Sequence, residues 1–376
     1  AHRLAGEWEV FARAQEELPG FGATIGDLMP LLVRMDPSDV AQAVDLAMHL
    51  RRDGITHIHA HFATLAARTA MVASALTGIP YTVTTHAKDL FHESVDPVLL
   101  RAVLGRAAHV IAISDYNRRF LLDLDPSLEE KVRLVRNGLD LPRFTFTEPP
   151  APRTPLRVLA VGRLVEKKGF AHLVRAVAEL ARDGEDGGGM ECAVRIVGDG
   201  ELAEPLTALV DELGLTGSVQ LVGPRSQAEL VAELGWADVL VAPCVVGADG
   251  NADGLPTVIL EAMASGLPCI ATDVTGIPEA VHPAGVGADG ASVPQTGILL
   301  QHEEEWLDAR LATALRQVAD PAWPRVEVAR AAREAVERDF DTVRQSRLLP
   351  ELERDGSGVP AARADEVATD LAEVSR

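Results

Sequence analysis

The sequence predicts an α/β protein built from two doubly wound parallel-sheet domains. Three observations carry that reading. The chain has 376 residues, which at roughly 150 residues per domain suits two domains. From Ile55 onward, short apolar runs alternate with amphipathic stretches, the pattern of a parallel sheet covered by helices. The alternation stops at FTFTEPPAPRTP, residues 144–155, where four prolines and no periodicity mark a stiff, extended linker, and then restarts.

In order along the chain, residues 1–54 read as helical and irregular, with Val40, Val44, Ala47 and Leu50 at helical spacing before an Asp53-Gly54 stop. Strands are expected at 55–60, 81–85, 109–113 and 132–135, with helices at 63–77, 97–106 and 115–124. After the linker, strands are expected at 156–161, 192–197, 219–222, 238–242, 269–272 and 297–300, with helices between them. GEDGGG, residues 184–189, reads as a surface loop. Helical segments near 303–318 and 325–353 follow. The domain organisation is then a first domain over 1–143, a linker over 144–155 and a second domain over 156–335. A C-terminal helix over 336–354 is expected to pack back on the first domain, and 355–376 to form a mobile tail. The halves share an architecture, not a sequence period.

Composition narrows the function classes. Lys and Arg total 35 against 56 Asp and Glu, a net charge of −21, which argues against nucleic acid as the main partner because phosphate-backbone binding needs excess cations. Cys192, Cys244 and Cys269 are far apart and odd in number, which excludes a disulfide framework and fits a reducing compartment. No stretch reaches the roughly 18 apolar residues of a membrane span, and no secretory leader is read at the start, which opens on Ala1.

Open parallel sheets bind ligands at the carboxyl ends of their strands. Two such lobes facing each other would share a cleft, so the residues just after each strand matter most. In VGRLVEKKGF, a strand ends at Val161, Gly162 lets the backbone turn, and Arg163 and Lys168 flank the loop before a helix near Phe170. Two cations at a sheet mouth suit a diphosphate; local residues alone leave a solvated charge pair equally open. In GADGNADGLPTVILEAMASGLP, residues 247–268, a glycine- and acid-rich loop leads into a helix opened by Pro256. A helix N-terminus behind such a loop offers free N–H groups to an anion. Asp253 in the loop and Glu261 in the helix place carboxylates where sugar or ribose hydroxyls can donate to them; the alternative is a capping Asp253 and a solvated Glu261, the latter weakened by apolar neighbours.

Other signals take plainer readings. His57, His59 and His61 alternate along one strand, but no Asp or Cys set completes a metal site. Gly198-Asp199-Gly200 is too short for a dinucleotide fingerprint. Lys88 and Asp89 either meet an acceptor or pair with each other. Arg118-Arg119 reads as a solvated helix face, with a phosphate-bearing lipid acceptor as the alternative. Cys244 reads as a small buried hydrophobe.

Taken together and in order, HIHAHFA, TTHAKDLF, AISDYNRRFL, VRNGLD, VGRLVEKKGF, IVGDGEL, DGLPTVILEAMASGLPCIATDVTGIPEAV and TGILL resemble retaining glycosyltransferases of family 4, most of all the colanic-acid and amylovoran-type exopolysaccharide branch. The resemblance runs from about residue 36 to 350. It implies a GT-B fold of two Rossmann-like domains facing a central cleft, and transfer of a sugar from a nucleoside-diphosphate donor to a glycan or lipid-linked acceptor with retention of configuration. It implies that Arg163 and Lys168 bind the donor diphosphate, that Glu261 holds the ribose, and that Asp253 contacts the donor sugar in a position where the family carries Glu, one methylene longer. Gly162, Gly254, Leu255, Pro256 and Thr257 would line the phosphate and sugar, and Gly223, Pro224 and Arg225 the base. His86 would point at the transferred sugar. His61, Lys88 and Asp89 are acceptor-side candidates, and Glu279 a further one in the cleft. No metal and no cofactor are implied; the nucleotide sugar is a substrate. The expected location is cytoplasmic, with contact at the inner face of the plasma membrane open. The family's opening strand and glycine-rich loop have no counterpart before Ile55, so the first domain is expected to be incomplete. Two other readings share the fold: a nucleotide-sugar epimerase, and a truncated lobe pair that binds nucleotide sugar without turnover.

Overall fold

The computed structural model describes residues 2–182, 189–286 and 292–349. It divides into two compact units, Ala1–Val135 with Ser346–Arg376 and Arg136–Gln345. The expected loop at 184–189, apart from Gly189, and the expected tail at 355–376 lie outside the described residues.

The first unit opens with three helices, α1 (His2–Glu17), α2 (Phe21–Leu32) and α3 (Pro37–Arg52). Asp36 starts α3 by accepting the Ser38 N–H at 2.8 Å, and Pro37 takes the first helical position, where a missing N–H costs nothing. Then follow β1 (Ile58–His61), α4 (Leu65–Thr77), β2 (Tyr81–Thr85), α5 (Ala87–Phe91), α6 (Pro97–Arg106), β3 (His109–Ala112), α7 (Asp115–Leu124) and β4 (Val132–Leu134). The strands form one parallel sheet in the order β1-β2-β3-β4. β2 is buried throughout. Its threonines are tolerable there because they find partners: Thr85 Oγ1 donates to the Ile111 carbonyl at 3.0 Å.

The second unit carries β5 (Leu156–Val161), α8 (Phe170–Arg182), β6 (Cys192–Val197), α9 (Ala203–Glu212), β7 (Val219–Gly223), α10 (Gln227–Trp236), β8 (Val239–Ala242), α11 (Thr257–Ser265), β9 (Cys269–Thr272), β10 (Gly285–Val286), β11 (Ser292–Val293), β12 (Ile298–Leu300), α12 (Glu304–Ala319), α13 (Arg325–Asp339) and α14 (Thr342–Ser346). Six strands make a parallel sheet ordered β12-β9-β8-β5-β6-β7. The order reverses beside β5, so the loops after β5 and β8 diverge at a switch point, where open α/β sheets bind ligands. β10 and β11 form a separate antiparallel pair, too short to announce itself by periodicity.

Two sequence expectations change. Residues 144–155 lack helix and strand but are fastened to the second unit: the Thr147 N–H reaches the Ser265 carbonyl at 3.1 Å, and Arg325 Nη1 the Pro150 carbonyl at 2.7 Å. The helix expected over 325–353 breaks at Phe340-Asp341. Asp341 pairs with Leu139 in an isolated bridge and accepts the Arg344 N–H at 2.9 Å, so it caps a new helix instead of continuing the old one.

Candidate active site

In the second unit the site is assembled by backbone packing of loops. Gly169 sits at φ 64, and a Cβ there would lie 1.8 Å from the Pro243 carbonyl oxygen. Only glycine suits such a position. Its fit brings 166–168 against the loop after β8, where the Val245 N–H donates to the Lys167 carbonyl at 3.0 Å. Gly198, at φ 145, lies equally close to the Gly162 carbonyl, joining the loops after β5 and β6. Gly162 in turn leaves room for Lys168, whose Cε would stand 2.8 Å from a Cβ at that position.

These contacts place two ammonium groups on one carboxylate. Lys168 Nζ lies 2.7 Å from Asp253 Oδ2, and Lys167 Nζ 3.0 Å from Asp253 Oδ1. Lys167 also donates to Asn251 Oδ1 at 3.2 Å, and the Ala248 N–H donates to Glu166 Oε2 at 3.2 Å. The glycine- and acid-rich loop is thus tied at three points to residues 166–168. Burial alone would raise the Asp253 carboxyl; Lys168 and then Lys167 outweigh it and hold the group below the ordinary carboxylate range. Lys167 was not among the sequence candidates. It stands beside a residue that matches the family pattern, and spacing cannot tell which of two adjacent lysines turns inward.

Asp253 does not cap α11, whose N-cap is Pro256 with no side-chain hydrogen bond. The first N–H groups of that helix therefore keep no side-chain acceptor. Glu261, 6% exposed, is buried inside α11, and burial raises its carboxyl while Arg143 opposes the rise. Thr275 adopts φ 48, uncommon for a β-branched residue. Its hydroxyl donates to the Gly254 carbonyl at 2.7 Å and is within bonding reach of the Asp253 carbonyl, and the Gly276 N–H also reaches the Gly254 carbonyl at 2.9 Å. This clamp fixes the backbone that carries Asp253 and leads through Gly254, Leu255 and Pro256 to the exposed Thr257.

The other candidates of this unit lie as follows. Arg163 is exposed after β5, with no side-chain ion pair among the described residues. Gly223 ends β7, Pro224 is exposed, and Arg225 stands 3.7 Å from Glu233. Glu279 is engaged with Arg136 at 3.1 Å, as a structural ion pair would be. Cys244 is buried, its thiol pushed up to about 12 by burial, which rules it out as a ready nucleophile.

The first unit brings its own candidates together at the ends of β1 and β2. The register pairs His59 with Thr82 and His61 with Thr84. His59 spans both hydroxyls, Nδ1 at 2.6 Å from Thr82 Oγ1 and Nε2 at 3.1 Å from Thr84 Oγ1, and His57 Nε2 meets Thr82 at 3.1 Å. These contacts leave His57 and His59 as sheet histidines, and among the described residues no metal-holding cluster forms. His61 Nδ1 lies 3.4 Å from His86 Nε2. Burial, and then the charge of His61, lower His86 to about 4, so its imidazole is neutral at ordinary pH.

Asp89 bonds backbone N–H groups. It is 1% exposed, and its oxygens accept the His86 N–H at 2.7 Å and the Ala63 N–H at 2.5 Å. Burial raises it to about 6 against the pull of those backbone bonds. Lys88 beside it is exposed.

Comparison with known proteins gives the family and the fold. A family profile described as "Glycosyltransferase Family 4" matches residues 3–143, and one described as "Glycosyl transferases group 1" matches 155–319. The chain is 34% identical over 223 residues to WcaL of Escherichia coli (strain K12), named for colanic acid biosynthesis, covering 59% of this chain and 51% of that one. It is 32% identical over 229 residues to the amylovoran biosynthesis glycosyltransferase AmsK of Erwinia amylovora, covering 59% and 50%. The chain therefore spans about half the length of these relatives. Among solved structures, Alr3699/HepE of Anabaena in complex with UDP superposes with a TM-score of 0.65 at 19% identity, covering 82% of this chain and 80% of that one. The two parallel sheets are those of the GT-B fold. The chain belongs to family 4 of the group 1 glycosyltransferases.

Proposed function

We propose that this chain transfers a sugar from a nucleoside-diphosphate donor to a glycan or lipid-linked acceptor in exopolysaccharide synthesis. The observation that carries the proposal lies at the second unit's sheet switch point: Lys167 and Lys168 meet on Asp253 in the loop that leads to the uncapped start of α11, and the exposed Arg163 follows β5. Such a set matches a pyrophosphate, whose charge grows as the glycosidic bond breaks. The relatives' names support exopolysaccharide synthesis, and the UDP complex of the Anabaena neighbour supports a nucleotide donor.

In this reading the diphosphate lies against Arg163 and Lys168, with the α11 N–H groups completing the cradle. Glu261 accepts from the ribose hydroxyls and Asp253 from the hexose. His86 points at the transferred sugar, and His61 and Lys88 in the first unit serve the acceptor side. Asp253 is held as an anion by two ammonium groups, which makes it a poor covalent nucleophile. A front-face route follows, in which the departing phosphate takes the acceptor proton and the anomeric configuration is retained. No metal is required, since the lysines and arginine supply the positive charge.

The test is product analysis with UDP-, GDP- and dTDP-sugars, with and without saccharide acceptors. Transfer or slow hydrolysis of one donor is the expected result. Conversion of one nucleotide sugar to its epimer without acceptor would instead establish the epimerase reading, and binding without turnover the non-catalytic one. Arg163→Ala and Lys168→Ala are each expected to lower turnover by about two to three decades with the fold intact. Unchanged turnover in both removes the assignment.

A further inference from the structure

Phe62, just after β1, is an apolar side chain in an uncomfortable place. Its backbone is left-handed, at φ 74, a region that bulky residues rarely adopt. The residue is 45% exposed, so core packing does not explain the conformation. The strain is held in place from both sides. The Phe62 N–H donates to the Thr84 carbonyl at 2.9 Å, and the next N–H, of Ala63, donates to the buried Asp89. The same carboxylate holds the His86 N–H, so one group fixes both rings. The Phe62 and His86 rings lie 4.3 Å apart between centroids at 33°, and His61 joins His86 from the side. Backbone strain of this kind persists where the surroundings over-determine it, and it clusters at functional sites.

We propose that the open part of the Phe62 ring, on the side away from His86, is a stacking platform for a pyranose ring of the acceptor. A pyranose has one face of C–H groups and a rim of hydroxyls. The face of an aromatic ring carries negative charge that attracts C–H groups. Asp89 acts as the positioning residue that sets the tilt between the platform and His86. The inference rests on the acceptor-side assignment made above and names a side chain that would hold a sugar ring of that acceptor.

The test is saturation-transfer NMR on the full chain with methyl α- and β-pyranosides of glucose, galactose and mannose, with no nucleotide present. The C–H protons of at least one pyranoside are expected to saturate in the wild type, about tenfold less in Phe62→Ala, and normally in Phe62→Tyr. Phe62→Gly suits the left-handed backbone, so it is expected to keep or raise the Tm while losing the sugar signal. No signal from any pyranoside in the wild type, or an equal signal in Phe62→Ala, overturns the platform. A large fall in Tm for Phe62→Gly assigns the ring to packing and overturns it too. Calorimetry with UDP-glucose and with UDP covers the donor sugar. If Phe62→Ala weakens only UDP-glucose, the ring stacks the donor hexose and the acceptor version fails. A wild type that binds pyranosides but neither transfers nor hydrolyses any nucleotide sugar keeps the platform and loses the transferase reading.

Discussion

In the first unit the buried carboxylate of Asp89 bonds backbone N–H groups from two loops and stands near imidazoles, one of them held neutral. In the second unit the carboxylate of Asp253 takes two lysine ammonium groups. One acid is raised and the other lowered, although both are largely buried. The difference lies in what each must hold. Backbone donors fix loop geometry without adding a mobile charge, which suits a neutral sugar. Two ammonium groups on one acid leave an excess positive charge, which suits a diphosphate.

The contrast is open to challenge first through Asp253. Asp253→Asn removes the counter-ion from both lysines. Sugar transfer is expected to fall about ten- to a hundredfold, because a charged hydrogen-bonding partner is lost. Affinity for a free nucleoside diphosphate is expected to hold or rise, since two ammonium groups are released. Calorimetry with UDP and GDP separates these effects, and parallel loss of both would show that Asp253 only maintains the fold. Asp253→Glu restores the family's longer side chain and tests whether the missing methylene sets the choice of donor sugar.

How legible was this in the sequence? β5, β6 and β9 were, because short, largely apolar runs between turns have few other readings, and β2 was, through its β-branched and aromatic residues. Arg163, Lys168, Asp253 and Glu261 stand out as candidates through the order of their motifs, and the structure puts Lys168 and Asp253 in direct contact. The inward turn of Lys167, the left-handed Thr275 and Phe62, and the burial of Asp89 were not legible. Each is set by a partner far away in sequence: Asp253 for Lys167, Gly254 for Thr275, Thr84 for Phe62, Ala63 for Asp89. The helix break at Asp341 was missed because no Gly or Pro separates α13 from the residues that follow, and only the cap marks it.

A second, smaller effect concerns Thr275. Thr275→Val keeps the shape and removes the hydroxyl that bonds the Gly254 carbonyl. It is expected to lower turnover about three- to tenfold, with Thr275→Ser restoring it. Equal activity in all three would show that the clamp is incidental to the site.

The smallest expected effect is one of pH, and it belongs to the first unit. His86 titrates near 4 when folded and 6.5 when free. The unfolded chain therefore binds more protons between these values, and the folded form loses stability as pH falls through that window. Asp89, raised from 3.8 to about 6, slopes the other way over much of the same range. His86→Gln removes the first term alone. Its Tm is expected to improve relative to wild type as pH falls from about 6.5 to 4. A Tm difference independent of pH would contradict a neutral, buried His86.

The central claim is that the second unit's cations grip a nucleoside diphosphate. The direct measurement is thermal unfolding of the full chain, wild type and Lys168→Ala, against UDP, GDP and dTDP. Ligands that bind only the folded state raise its stability. At least one of the three is expected to raise the wild-type Tm, and Lys168→Ala to abolish most of that rise while unfolding normally without ligand. A wild type indifferent to all three, or a lysine variant that responds as the wild type does, would contradict the account.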